Sequence, residues 1–257
     1  MGSIDMTKKG VPVALVTLVA VNALMYLLLL ILNITVGGDI ASVFAVPADY
    51  AILLVRPWTL ITYMFTQFDA WQMLFNMLWL WWLGQLLVSL RGARRFVAAY
   101  IGGGLAGALF FLIWNMFQFD PRPLLGSSCA VMSVMVCVAV LSPDRRFNVL
   151  FIGPVKLKWI VAVSLLLYAV SGDFGAWAGQ MAHLGGVLFG VVIGLASRRI
   201  AVRKPKFEHP SLGRGDEELL NGLLDKVRAN GYASLSPVER KLLIDITNKI
   251  GKHDSKN

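Results

Sequence analysis

Charge is scarce in this 257-residue chain: 15% of its residues are Asp, Glu, Lys or Arg, where soluble domains carry about 25%. Cysteine is scarcer still. Two residues cannot build a disulfide-framed fold. The three histidines and two cysteines form no ligand-spaced cluster, so neither a metal nor an organic cofactor is expected. Hydrophobic residues make up 57% and mean hydropathy is +0.66, which excludes disorder for most of the chain and makes a bilayer-embedded protein the starting assumption. The formal net charge of +9 would otherwise suggest nucleic acid, but in a membrane chain Lys and Arg first report orientation.

A hydrocarbon core of about 30 Å needs roughly 20 apolar helical residues. Six stretches approach that length, at 11–36, 70–90, 96–119, 124–142, 156–172 and 174–197. The fifth reaches it only if Lys156 and Lys158 snorkel to the interface. The first is too long for a signal-peptide core and lacks a small-residue cleavage site, so it is expected to stay in the mature protein.

Arg91, Arg94 and Arg95 lie between spans two and three, Arg145, Arg146, Lys156 and Lys158 between four and five, and Arg198, Arg199, Arg203, Lys204 and Lys206 after six. The opposite face carries Arg56 and Arg122 among Asp39, Asp49, Asp69, Asp120 and Asp173. This asymmetry predicts both termini in the cytoplasm and accounts for the basicity without nucleic acid. The expected organisation is a cytoplasmic segment at 1–10, a six-helix membrane domain at 11–200, a basic linker at 201–213 and a cytoplasmic helical hairpin at 214–257. The hairpin follows from leucines at helical spacing up to Gly231, then a capping box at Ser236-Pro237-Val238-Glu239. Its apolar faces pack on each other or meet a cytoplasmic partner.

Intramembrane polar groups are costly and point to function. Among the histidines, only His183 falls within a span; alone it reads more readily as a packing hydrogen bond than as a catalyst, and Ser128 alone as a small interface residue. Depth brings them together. With the N-terminus inside, the even-numbered spans run inward from the outer face, with Gln72 and Asn76 opening span two and Ser128 opening span four. His183 lies about nine residues into span six, roughly 13 Å down its helix. Ser128 reaches that level if the proline-containing segment 121–126 dips into the membrane, which requires a buried or water-filled recess. Gly186, Gly190 and Gly194 repeat every four residues down span six, as do Cys129, Ser133 and Cys137 down span four, so the two backbones can approach closely. Gly103 and Gly107 are read as bundle packing.

Gly126-Ser127-Ser128-Cys129, the run from His183 to Gly190 and Trp71-Gln72-Met73-Leu74-Phe75-Asn76, in this order on these helices, resemble the rhomboid family of intramembrane serine proteases. The resemblance runs from about Arg56 to Arg199. It implies an all-α, six-helix membrane bundle, with Ser128 as nucleophile and His183 as general base in a dyad without a carboxylate. It further implies an oxyanion and substrate-binding region at Gln72, Asn76, Gly126 and Met132. Neutral serine needs an adjacent imidazole to take its proton, which suits such a dyad. The family's usual histidines are replaced by Gln67 and Gln72, its small residue after the serine by Cys129, and the aromatic residue that packs on the histidine by Met132. Gln72 keeps an N–H donor; Gln67 has no assigned role.

The implied activity is cleavage of single-span membrane proteins in or next to their transmembrane helices, in contact with lipid; the short loops and the lack of an organelle-type presequence fit a bacterial inner membrane better than a mitochondrial or other eukaryotic one. A catalytically silent relative that binds transmembrane clients is the alternative, motivated by Gln72 and Cys129. A transporter is disfavoured because the spans contain no charged group to couple an ion.

Overall fold

The computed structural model describes residues 11–37, 40–67, 69–149, 153–171, 177–199 and 214–254. The proposed N-terminal segment at 1–10 and basic linker at 201–213 lie outside them. Contacts divide the chain into two units, up to Ala201 and from Val202 onward.

The first unit opens with α1 (Val13–Thr35), whose Thr17 and Thr35 hydroxyls donate to carbonyls one turn back, so neither is left bare on an apolar helix. The loop that follows holds α2 (Tyr50–Val55), capped by Asp49, and the single turn α3 (Thr59–Thr62). Then come α4 (Ala70–Arg91), whose first turn is capped by Asp69 accepting from the Gln72 N–H at 2.6 Å, and α5 (Ala93–Phe117). Gly92, at φ 81°, makes the corner between them. The rest of the unit comprises α6 (Ser128–Leu141), the antiparallel pair β1 (Arg146–Val149) and β2 (Gly153–Lys156), α7 (Leu157–Ser171) and α8 (Trp177–Arg199).

Among the described residues four helices, α1, α4, α5 and α8, are long and apolar enough to cross a bilayer; α6 and α7 are shorter. This departs from six uniform spans for a packing reason. In α6 every residue from Ser128 to Val138 is buried, so its neighbours screen it from lipid and it need not match the bilayer in length. Its late start is imposed upstream. Leu124 and Val46 exchange both backbone hydrogen bonds at 2.9 Å, and the Gly126 N–H donates to the Tyr63 carbonyl at 3.0 Å, holding the approach to Ser128 extended. The loop before α4 is itself braced, by Trp58 Nε1 to the Val43 carbonyl, Thr62 to the Phe44 carbonyl and Tyr63 to the Gly104 carbonyl. Large apolar side chains stay exposed on the outer helices, such as Leu24 at 65% and Phe117 at 80%, which only lipid makes favourable.

The β-pair was not foreseen in a chain read as all helical. It stands between α6 and α7, where Lys156 and Lys158 share the Asp144 carboxylate at 3.2 and 3.3 Å and hold its carboxyl below the usual range. Phe147 meets Trp82 edge-on at 5.0 Å, pinning β1 to α4.

The second unit contains α9 (Arg214–Asn230) and α10 (Pro237–Asp254), with Leu223, Leu235 and Ile246 buried. The capping box forms: Ser236 N donates to the Glu239 carboxylate at 2.7 Å and Glu239 N to Ser236 Oγ at 3.3 Å. Lys226 also donates to Glu239 at 2.7 Å, and these bonds pull its carboxyl down to about 2. A value depressed below the unfolded carboxylate's roughly 4.3 means this stabilisation is full above that pH and is lost as pH falls toward 2. Ser236→Ala is expected to lower the free energy of local opening at 238–240 by about 1 kcal/mol, measured by amide hydrogen exchange on the full chain at neutral pH. Unchanged protection there would remove the cap from the account.

Candidate active site

Helix α8 packs against both α5 and α6, and the contact runs glycine against small residue. A Cβ on Gly186 would stand 2.3 Å from the Cys129 carbonyl oxygen, and one on Gly190 2.6 Å from that of Ser133. One on Gly194 would lie 2.9 Å from Val140 and 3.3 Å from the Cys137 carbonyl. The two sequence stripes therefore face each other. From the other side Gly103 and Gly107 of α5 press on Ser133 and Cys129, closing α6 between two smooth helices.

This contact carries His183, one turn before Gly186, to the first residue of α6. Ser128 Oγ and His183 Nε2 are 2.8 Å apart. If the hydroxyl donates to Nε2, the neutral imidazole bears its proton on Nδ1. Nδ1 is buried, and among the described residues no protein group, a carboxylate included, bonds to it. Ser128 also stands where the N–H groups of the first turn of α6 have no intrahelical partners and the helix dipole is positive.

Gln72 reaches the same place from α4. Gly126 has φ 110°, a conformation costly for any residue with a side chain, and a Cβ there would lie 3.6 Å from Gln72 Nε2 and 4.0 Å from Ser128 Oγ. The missing side chain keeps open a small space between an amide donor and a nucleophile. Asn76, one turn further along α4, is fully buried and already engaged: its Oδ1 accepts from Tyr168 at 2.7 Å and its Nδ2 donates to Gln67 at 3.0 Å.

Met132 is buried within α6, and the aromatic ring that meets His183 comes instead from Tyr168 of α7, with centroids 6.2 Å apart and planes at 68°. Sequence reasoning missed Tyr168, which looks like any aromatic of an apolar span. It also missed Asn22, which does carry a signal as a carboxamide within an apolar run. Between α4 and α7 opens a cleft of about 750 Å³, walled by Trp71, Phe75, Leu78 and Leu167 and reaching Gln72, Tyr168 and His183.

A family model described as the rhomboid domain matches residues 55–200, more than half of the chain. The chain belongs to the rhomboid family. The mouse presenilin-associated rhomboid-like protein, mitochondrial, is 31% identical over 134 residues, 49% of this chain and 34% of that protein. The zebrafish presenilin-associated rhomboid-like protein A, mitochondrial, is 29% identical over 133 residues, again 49% and 34%. The rhomboid protease GluP of Bacillus subtilis is 24% identical over 186 residues, 71% of this chain and 34% of that protein. Each match thus spans about a third of the relative's length.

The matched rhomboid domain includes the serine, the histidine, both glutamines and Asn76, while α1, α9 and α10 lie outside it. Within this rhomboid, Cys129 is accommodated because its side chain turns into the α5 contact at Gly107, while its backbone takes the α8 contact at Gly186.

Proposed function

We propose that this rhomboid is an intramembrane serine endopeptidase. The observation that carries the reading is the 2.8 Å contact between Ser128 Oγ and His183 Nε2. In the reaction, Oγ attacks the scissile carbonyl carbon as its proton passes to Nε2. The negative oxygen of the tetrahedral intermediate is met by the Gln72 amide, an Asn76 N–H and the N-terminal end of α6. Collapse breaks the C–N bond and the imidazolium returns the proton to the leaving amine. Water, activated by the same imidazole, then cleaves the acyl-serine.

The apolar cleft between α4 and α7 suits a transmembrane segment, and a helix must partly unwind there to expose a carbonyl, favouring Gly or Pro near the cut. The partners are single-span membrane proteins and lipid. The placement of Lys and Arg supports cytoplasmic termini, and economy of loops supports a bacterial inner membrane.

Two experiments test the assignment. Purified protein in detergent is treated with a fluorophosphonate probe, and a panel of single-span substrates is incubated with wild type, Ser128→Ala and His183→Ala. Labelling or cleavage that persists in both variants overturns the dyad assignment, and a wild type that neither labels nor cleaves favours a client-binding scaffold. Gln72→Ala is expected to lower kcat by about 10- to 1000-fold through the lost donor, with little change in KM. Unchanged turnover would take Gln72 out of the oxyanion role.

A further inference from the structure

In the middle of α1, amid Leu, Val and Ala, Asn22 is fully buried. A carboxamide removed from water needs partners at both ends. Asn22 Nδ2 donates to the Leu18 carbonyl and to the Tyr100 hydroxyl, both at 2.9 Å, and Oδ1 accepts from Gln67 Nε2 at 3.1 Å. Gln67, 1% exposed, passes the pattern on, its Oε1 accepting from Asn76 Nδ2 at 3.0 Å. Asn76 Oδ1 in turn accepts from Tyr168. Tyr100 donates to the Met64 carbonyl at 3.1 Å, which leaves its lone pairs for Asn22.

A carboxamide has nearly the same shape either way round, and only its partners decide which end donates. The Leu18 carbonyl can only accept. It therefore compels Asn22 to turn its NH₂ toward it and its oxygen toward Gln67. Gln67 must then present NH₂ to Asn22 and oxygen to Asn76, and Asn76 must present NH₂ to Gln67. Reversing any one member would set like against like in a buried site, losing a hydrogen bond and stranding both groups. One N–H of Asn76 Nδ2 is used by Gln67. The second has no bonding partner among the described residues, and Asn76 stands one helical turn from Gln72 on α4.

We propose that Asn22, acting through Gln67, is a positioning residue for Asn76. The first helix, which lies outside the matched rhomboid domain, dictates which end of the Asn76 carboxamide donates, and so keeps an N–H available to the carbonyl oxygen of a bound peptide. This rests on the hydrolase reading. Its chemistry is distinct from that of the dyad, since Asn22 touches neither Ser128 nor His183.

The test is a double-mutant cycle on the full chain with a single-span substrate, alongside wild type and Ser128→Ala. Asn22→Leu is expected to lower kcat about tenfold, less than outright loss of a donor, with KM changed less than about twofold. In an Asn76→Ala background the same substitution is expected to change kcat less than about twofold, because there is no amide left to orient. Gln67→Met is expected to reproduce both results. Asn22→Ala, smaller and helix-favouring, replaces Asn22→Leu should the latter fail to fold, as judged by its thermal midpoint. Unchanged kcat, an equal loss in both backgrounds or an effect confined to KM would overturn the proposal. Absence of Ser128-dependent cleavage by wild type is a separate result, which removes the hydrolase reading and this proposal with it.

Discussion

Replacing His183 by alanine is expected to slow peptide hydrolysis by about 10⁴-fold or more, to the level of Ser128→Ala, with the double variant no slower than either single one. The serine hydroxyl cannot attack at neutral pH without a group to receive its proton, and Nε2 at 2.8 Å is placed to receive it. Among the described residues no second group bonds to the imidazole at Nδ1, and the ring is held there by packing rather than by a carboxylate. The non-additivity is the discriminating part: two groups that act in one step are lost together, whereas two that merely support the fold would lose activity in proportion. Initial rates on a single-span substrate, with each variant's thermal midpoint as a folding control, decide it. A His183→Ala enzyme within tenfold of wild type would show that another group takes the proton.

Gly186→Ala is expected to cost about a hundredfold in kcat and about 1–3 kcal/mol in stability. Its Cβ would lie 2.3 Å from the Cys129 carbonyl oxygen and 2.9 and 3.0 Å from that residue's carbonyl carbon and Cα. All three are backbone atoms of α6, so no side chain can rotate out of the way and α8 must retreat by about 1 Å, which is enough to misalign a reacting pair. His183 is one turn away on the moving helix, and Ser128 is bonded to Cys129 on the fixed one. Gly179 supplies the control. It lies on α8 with nothing among the described residues within 4 Å of a Cβ, so Gly179→Ala is expected to leave kcat unchanged and to stabilise slightly, by up to about 1 kcal/mol. If both substitutions behave alike, close approach of α6 and α8 does not set the catalytic geometry.

The elements that were legible share a property: each is a periodic pattern with a direct geometric meaning. The apolar runs gave the helices because a membrane segment must satisfy its own backbone. Glycines at 186, 190 and 194 facing Cys129, Ser133 and Cys137 gave the α6–α8 contact because a missing side chain is an invitation to approach. Ser236 and Glu239 gave a helix start because the capping box is a local arrangement.

What escaped was set by distant partners. The length of α6 was misjudged because Val46, about 80 residues upstream of Ser128, holds Leu124 extended by backbone bonds that leave no mark in side-chain pattern. Met132 stands where the family carries the aromatic residue that packs on the histidine, whereas the ring that meets His183 is Tyr168, brought by α7 from another part of the chain. Gln67 had no role until Asn22 and Asn76 were seen on either side of it.

Taken by itself, the amino-acid sequence determined that this chain belongs in a membrane, where its apolar helices lie and which serine and histidine are worth bringing together, because hydropathy and small-residue spacing act locally along a helix. Only the tertiary structure decided which groups complete the site and which way round its amides point. A hydrogen bond between side chains is a property of two places in space, and a single bond here, from Tyr168 of α7 to Asn76 of α4, joins positions 92 residues apart.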